Sequence, residues 1–509
     1  MKMVKSLILG SAAGLIAMSG AQAADLPVKA KAVEYVRICS LYGAGFWYIP
    51  GTDTCMKIGG YLRVDTTFNA AGTQGQPEWS GDAGQGNRYV HNFFTRSRLA
   101  LTVDTRTATE YGVVRTFGQG DFTFDTFGSS TNPTTLSPTG AFTSSQLHSA
   151  GGGYVAVEFA FIQFAGFTFG KSASAFATPW HGYPGNNTSF LLGGHDTVTG
   201  VNNIQYTAQF GNGVSATIGL DDPVVFHRTT LANLTTVNAF GAGTQGYGGV
   251  FTPDIVANIR VDQAWGLFQL SGSLHENRAA YNAISGTPGA EVTGHPDTKW
   301  GGSVMAALQI KNLPTGAGDD IKLDATWAKG HTKQVISTSG GSPSFLMYGD
   351  TGLAGAYQSI GFGATTDSTF LPTAFGGDGN IHLTTAYGVR GAFNHNWSPY
   401  WSSSLFGSYA AVRYDDVSAA AICGRIGHIP VAGTGYSCNP DFNTAQLGLI
   451  TRWTPVKNLT FSAEVGWFHL DQKFTGAALF AANQAKPTAV YEFKDQDTVY
   501  LNVRAQRNF

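Results

Sequence analysis

Residues 499–509, the last eleven of the chain, read VYLNVRAQRNF, and they alternate. Val499, Leu501, Val503 and Ala505 fall on one face, and Tyr500, Asn502, Arg504, Gln506 and Asn508 on the other. A period of two places apolar and polar side chains on opposite sides of a β-strand, so the strand lies between two unlike environments. Arg507 shares the parity of the apolar face but sits near the end, where a long side chain reaches back to a polar boundary.

The other end of the chain says which environments are available. MKMVKSLILGSAAGLIAMSGAQA (1–23) carries Lys2 and Lys5, an apolar run from Leu7 to Ala17, and small residues at Ala21 and Ala23. This is the pattern of a secretory signal peptide, with cleavage expected after Ala23. The run is shorter than the roughly 20 apolar residues of a spanning helix. Removing Lys2 and Lys5 from the 31 basic residues leaves 29 against 33 acidic ones, a net charge of about −4. No field for nucleic acid or acidic lipid follows from that, and no nucleic-acid partner is expected.

Composition sharpens the class. The chain has 66 Gly, 34 Phe and 20 Tyr, only 13% charged residues, and a mean hydropathy of −0.05. Beyond the signal there is no continuous apolar stretch of the about 18 residues that a membrane helix requires. An exported chain that is apolar without apolar runs fits a transmembrane β-barrel, in which each strand shows lipid one face and the lumen the other.

Alternation recurs along the chain. In 213–222, Val214, Ala216, Ile218 and Leu220 oppose Ser215, Thr217 and Asp221; in 458–470, Leu459, Phe461, Ala463, Val465 and Trp467 oppose Thr460, Ser462 and Glu464. Segments 254–265 and 319–330 behave alike, and in each the charges share a face. The full reading gives strands at 56–69, 91–106, 110–122, 154–165, 167–176, 202–211, 213–222, 254–265, 267–278, 299–312, 319–332, 384–398, 400–415, 443–456, 458–472 and 497–509. The fourth, fifth and thirteenth alternate poorly. Connections sort into tight turns (211–213, 265–266, 398–399) and long polar loops (70–90, 123–153, 223–253, 333–383), with the short side expected to be periplasmic. Trp265, Trp397, Trp401 and Trp453 then mark the periplasmic interface, and Trp300, Trp327 and Trp467 the outer one. The predicted fold is all-β, a 16-stranded antiparallel transmembrane barrel over 56–509 with short periplasmic turns and long extracellular loops, preceded by a periplasmic-side segment, 24–55. The last strand is expected to close against the first, because an open edge in lipid leaves backbone groups unpaired.

EYVRICSLYGAGFWYIPGTDTCMKIGGYLRVD (34–65), TRSRLALTVDTRTATEYGVVRT (95–116), FTFGKSASAF (167–176) and the ending VRAQRNF resemble the porins of rhizobial-type alphaproteobacteria. The resemblance is dense in the first 180 residues and the last strand and thin through the loops. It implies an integral outer-membrane protein, a homotrimer, with a water-filled channel for passive diffusion of small hydrophilic solutes and ions, and with a third long loop folded inward. It also implies that the last strand engages the outer-membrane assembly machinery. In that third loop, ATPWHGYPGNNTSFLLGGHDTVTG (177–200), the acids reduce to Asp196, accompanied by His181 and His195.

Arg63, Arg96, Arg98 and Arg115 lie on the polar faces of the first three strands, where the resemblance places the wall opposite the third loop. With Asp196 they are the expected pore constriction, charge in a narrow low-dielectric tube biasing which ions pass. Arg260, Arg390, Arg452 and Arg504 read as solvated wall charges. Cys39, Cys55, Cys423 and Cys438 form two close pairs in an exported chain, and disulfides 39–55 and 423–438 are the simplest of three connectivities. Neither pair has CxxC spacing and no histidine cluster accompanies them in sequence, so no metal site is expected. Gly241–Gly246 matches GxGxxG and Gly166–Ser172 resembles a shortened P-loop, but both lack the strand–loop–helix context of phosphate binding. No HExxH, GxSxG or triad is present, so neither cofactor nor enzymatic role is expected. The competing readings are a solute-specific channel, for example for sugars, with Tyr61, Phe94 and Phe468 as inward aromatics, and a barrel adhesin.

Overall fold

The computed structural model describes residues 37–509 apart from 71–76, 89, 91, 126–152, 187–190, 197, 225–226, 283–289, 337–343 and 484–485. The signal segment and residues 24–36 lie outside the described residues.

Sixteen strands form the wall: β1 Cys55–Phe68, β2 Phe93–Thr109, β3 Gly112–Asp125, β4 Tyr154–Phe164, β5 Phe167–Ser172, β6 Val201–Gly211, β7 Val214–Asp221 and β8 Asp254–Gln263 in the first half. The second half comprises β9 Gly266–Asn277, β10 Lys299–Lys311, β11 Asp320–Lys329, β12 Thr385–Ser398, β13 Trp401–Arg413, β14 Phe442–Val456, β15 Leu459–Gln472 and β16 Gln496–Asn508. Each pairs antiparallel with its sequence neighbours, and β16 pairs with β1 from Phe68↔Leu501 to Tyr61↔Asn508. The ring is closed. Phe509 extends the seam: its N–H donates to the Gly60 carbonyl at 3.1 Å, and the Gly60 N–H donates to Phe509 O at 3.3 Å. Gly60 is needed there, because with φ at 151° a Cβ would sit 2.0 Å from the Ala100 carbonyl oxygen.

Apolar side chains face out. Leu62, Val64, Ile218, Val304, Leu405, Val465 and Val499 are each more than two-fifths exposed, as a lipid-facing surface requires. Trp401 and Trp453 pair across β13–β14 beside the short turns with rings 6.0 Å apart, and Trp327 lies toward the long-loop end. The turn between β6 and β7 uses Asn212 at φ 49° and Gly213 at φ 74°, two left-handed residues whose twist matches a tight hairpin.

Two expected irregularities have local causes. In β4 the register jumps: Gln119 opposes Phe159 and Gly120 opposes Val157, leaving Glu158 as a bulge residue. Val155 and Val157 face lipid before it, and Phe159, Phe161 and Gln163 face the lumen after it. The fifth strand ends at Ser172 rather than 176, because the chain there leaves the wall and carries the described residues of 173–200 inward. Ala175, Phe176, Trp180, Tyr183 and Leu191 of this loop pack on lumen-facing Val256, Met305, Ala307, Ala392, Phe406 and Ile450 of β8, β10 and β12–β14. Over the long-loop rim, small sheets (230–237, 243–245, 366–370, 381–383; and 345–349, 358–363, 429–430, 477–480, 489–493) weave several loops together. Cys39 joins Cys55 at the short-turn rim, and Cys423 on helix Asp416–Arg425 joins Cys438 in the loop after β13. Among the described residues no helix is long and apolar enough to cross a membrane, which says nothing about the strands.

Candidate functional site

The third loop crosses the lumen and is pinned at its far side. The Asn186 N–H donates to Glu464, the Asn186 side chain donates to Asn502 at 2.9 Å, and Arg504 donates to the Asn186 carbonyl at 2.9 Å. Arg452 reaches the Pro184 carbonyl. Nearer the loop's return, the Leu192 N–H donates to Gln446 at 2.8 Å. The loop thus lines the inner wall of β8–β16 and leaves the passage on the side of β1–β7.

Arg390 anchors the same loop from beneath. Its Nε lies 3.0 Å from Asp324 and its Nη1 3.3 Å from Asp196, while Nη2 donates to the His195 carbonyl at 3.1 Å. Asp196 therefore answers Arg390 on β12, not the arginines of β1–β3. The resemblance places the loop correctly, but the expectation that its acid faces the arginines of the first three strands is corrected by the Arg390 pair.

On the opposite wall Arg63, Arg96, Arg98 and Arg115 all face the lumen, each beside an acid of the wall. Asp65, 1% exposed, takes Arg96 at 2.9 Å, Arg504 at 2.5 Å and Arg63 at 3.7 Å. Arg98 meets Asp121 at 2.7 Å and comes within 4.0 Å of Glu158. Arg115 and Arg106 share Asp104, both at 3.0 Å. Six arginines thus stand against four acids (Asp65, Asp104, Asp121, Glu158), an excess of two positive charges on one wall. Arg106, which the sequence does not single out, and Arg504, which it reads as a solvated wall charge, join this group; their parity with Arg98 and Asn502 is the available signal.

A cavity of about 420 Å³ lies under the third loop toward the short-turn rim, lined by Phe117, Phe159, Phe161, His181, Arg260 and Gln269 among others. Phe117 and Phe161 stack at 5.4 Å, Phe159 lies 6.4 Å from Phe117, and the Arg115 guanidinium lies 5.2 Å from the Phe117 ring. The bulge at Glu158 hid this group from a reading by parity. Of the expected aromatics, Tyr61 stands in the lumen 5.0 Å from Arg63, whereas Phe94 is buried and Phe468 packs with Phe345 below the loops.

The profile of the porin subfamily matches residues 25–502. This chain belongs to that porin subfamily. Porin Omp2b of Brucella suis biovar 1 (strain 1330) and Porin Omp2b of Brucella abortus (strain 2308) are each 34% identical to it over 275 residues. That match covers 52% of the porin described here and 63% of each relative's length, so less than two thirds of either relative is spanned. The outer membrane channel DcaP of Acinetobacter baumannii superposes with a TM-score of 0.57 at 15% identity, covering 91% of this porin and 99% of DcaP. At that identity the likeness concerns the fold. The porin is an integral β-barrel of the outer membrane, as the family resemblance implied.

Proposed function

We propose that the porin is a passive channel for small hydrophilic solutes and ions, narrowed between the third loop and the wall carrying Arg63, Arg96, Arg98 and Arg115. The observation that carries this reading is the tethering of the loop to Glu464, Arg504 and Arg390, which holds it against β8–β16 and leaves the side of the lumen bearing Arg63, Arg96, Arg98 and Arg115 free. Charges along a narrow water-filled tube bias the ions that pass. Asp196, held by Arg390, contributes little to that bias, so the excess positive charge of the wall sets its local sign.

The working unit is taken to be a homotrimer in outer-membrane lipid, exported by a signal peptide ending at Ala23 and inserted by the assembly machinery through β16. Neither metal nor cofactor enters this transport reading. Purified protein added to a planar bilayer should give stepwise, ohmic currents in triplets; a protein that assembles without conducting would refute the channel. Phe117, Phe159 and Phe161 favour a second reading, a preference for sugars, whose rings stack on aromatic faces. Oligosaccharides that block the current at millimolar concentration would favour it over simple diffusion.

A further inference from the structure

Four histidines distant in sequence gather inside the barrel near its long-loop end. His227 comes from the loop after β7, His275 from β9, His331 from the loop after β11 and His195 from the third loop. The rings of His275 and His331 stack at 4.5 Å, and His195 lies 5.3 Å from His227. At their centre is Asp254, the first residue of β8, fully buried. The transport reading gives this cluster no task.

Its distances divide into two kinds. His275 Nδ1 is 2.6 Å from Asp254 Oδ1, an ordinary charge-assisted hydrogen bond, and its Nε2 is 2.8 Å from the Tyr247 hydroxyl. The other carboxylate oxygen, Oδ2, lies 3.3 Å from His227 Nδ1 and 3.4 Å from His331 Nε2. Those separations are long for hydrogen bonds to a carboxylate, yet they match the about 3.3–3.4 Å between neighbouring ligands of a tetrahedral ion bound at about 2.0–2.1 Å. His331 Nε2 is 2.9 Å from the His227 carbonyl oxygen, to which its N–H donates in one tautomer; ligation takes the other tautomer, with the proton on Nδ1, 3.0 Å from the Ser273 hydroxyl that then accepts it. Gln334 Nε2, at 3.1 Å, also faces His331 Nε2. His227 Nε2 is buried with no hydrogen-bond partner among the described residues; its nearest acid is Asp221 at 3.6 Å.

We propose that His227 Nδ1, His331 Nε2 and Asp254 Oδ2 form a site for a divalent ion of the zinc class, with His275 orienting the carboxylate from behind. Two imidazoles and a carboxylate are the donors such an ion prefers, and the Tyr247–His275–Asp254 chain is the outer-shell support that fixes ligand orientation. The ion would clip the loops after β7 and β11 to the head of β8, beside the third loop's His195. Because the ligands are sealed from solvent, the ion enters as the loops close, and rapid chelation does not remove it.

The test refolds untagged chain into detergent with and without zinc sulfate, removes free ion by gel filtration, and counts metal by mass spectrometry. Wild type should retain one zinc per chain and His382→Ala, an outer-loop control, should match it. His227→Ala and His331→Ala should retain less than a tenth as much while still migrating as heat-modifiable barrels. Zinc-free wild type, or a His227→Ala protein that holds zinc as well as wild type, overturns the proposal. Should the variants fail to fold, X-ray absorption on zinc-loaded wild type decides: two imidazole ligands support the site, and an all-oxygen shell overturns it.

Discussion

Gly193 of the third loop and Gly388 of β12 meet backbone to backbone, so closely that a Cβ on Gly388 would lie 2.5 Å from the Gly193 Cα. Two residues without side chains let the loop lie flat on the wall, so the proposed narrow passage should respond to that contact. Gly388→Val should push the loop toward β1–β4 and lower single-channel conductance. Overpacking of this kind costs about 1–3 kcal/mol, too little to unfold a barrel. Unchanged conductance in a folded Gly388→Val protein would show that the loop does not bound the passage.

Arg390 should be a larger determinant of stability than any arginine of the opposite wall. It is buried and holds Asp324 and Asp196 together, so Arg390→Ala leaves two acids without their cation. Removing one partner of a buried pair costs about 3–5 kcal/mol. The urea midpoint should fall accordingly, and Arg390→Ala with Asp324→Asn should recover part of the loss. A double variant no better than the single one would mean that the ion pair is not the cause.

Strand phase can be tested on β7 and β15. Val465 faces lipid and Thr217 lines the cavity below the third loop. An arginine at the lipid midplane costs about 2–4 kcal/mol, and far less in the lumen. Val465→Arg should therefore cut the folded yield while Thr217→Arg assembles; equal yields would refute the assignment of faces.

The Cys423–Cys438 bond staples one outer loop and touches no wall strand. In the chain-entropy description a loop of this length contributes about 3 kcal/mol, confined to the segment it closes. Cys438→Ser should leave strand content and assembly intact while exposing that loop to protease. Loss of assembly would contradict a purely local role.

The wall was legible because lipid and water impose a rule on every residue of a strand: Val214, Ala216, Ile218 and Leu220 on one side leave one phase for β7. Where the rule lapsed, the cause was a departure of the backbone. Glu158 as a bulge residue reversed the faces of β4 and concealed Phe117, Phe159 and Phe161 as a group. The arginine wall could be anticipated from parity, whereas the pairing of Asp196 with Arg390 spans 194 residues and leaves no local signature. The same holds for His227, Asp254, His275 and His331, which share neither a motif nor a strand.

The proposed channel is a conducting lumen whose narrow part is bounded by the arginine wall. The direct measurement is the zero-current potential across a planar bilayer in a salt gradient, for wild type and for Arg96→Ala with Arg98→Ala. Removing both arginines cancels the excess of two positive charges and leaves Asp65 and Asp121 on the wall. Screening at 0.1 M salt confines the effect to charges within about 10 Å of the passing ion, so only groups at the narrow part count. Both proteins should give ohmic steps, with the potential of the variant shifted toward cation preference; a potential that does not move would show that Arg96 and Arg98 do not bound the narrow part.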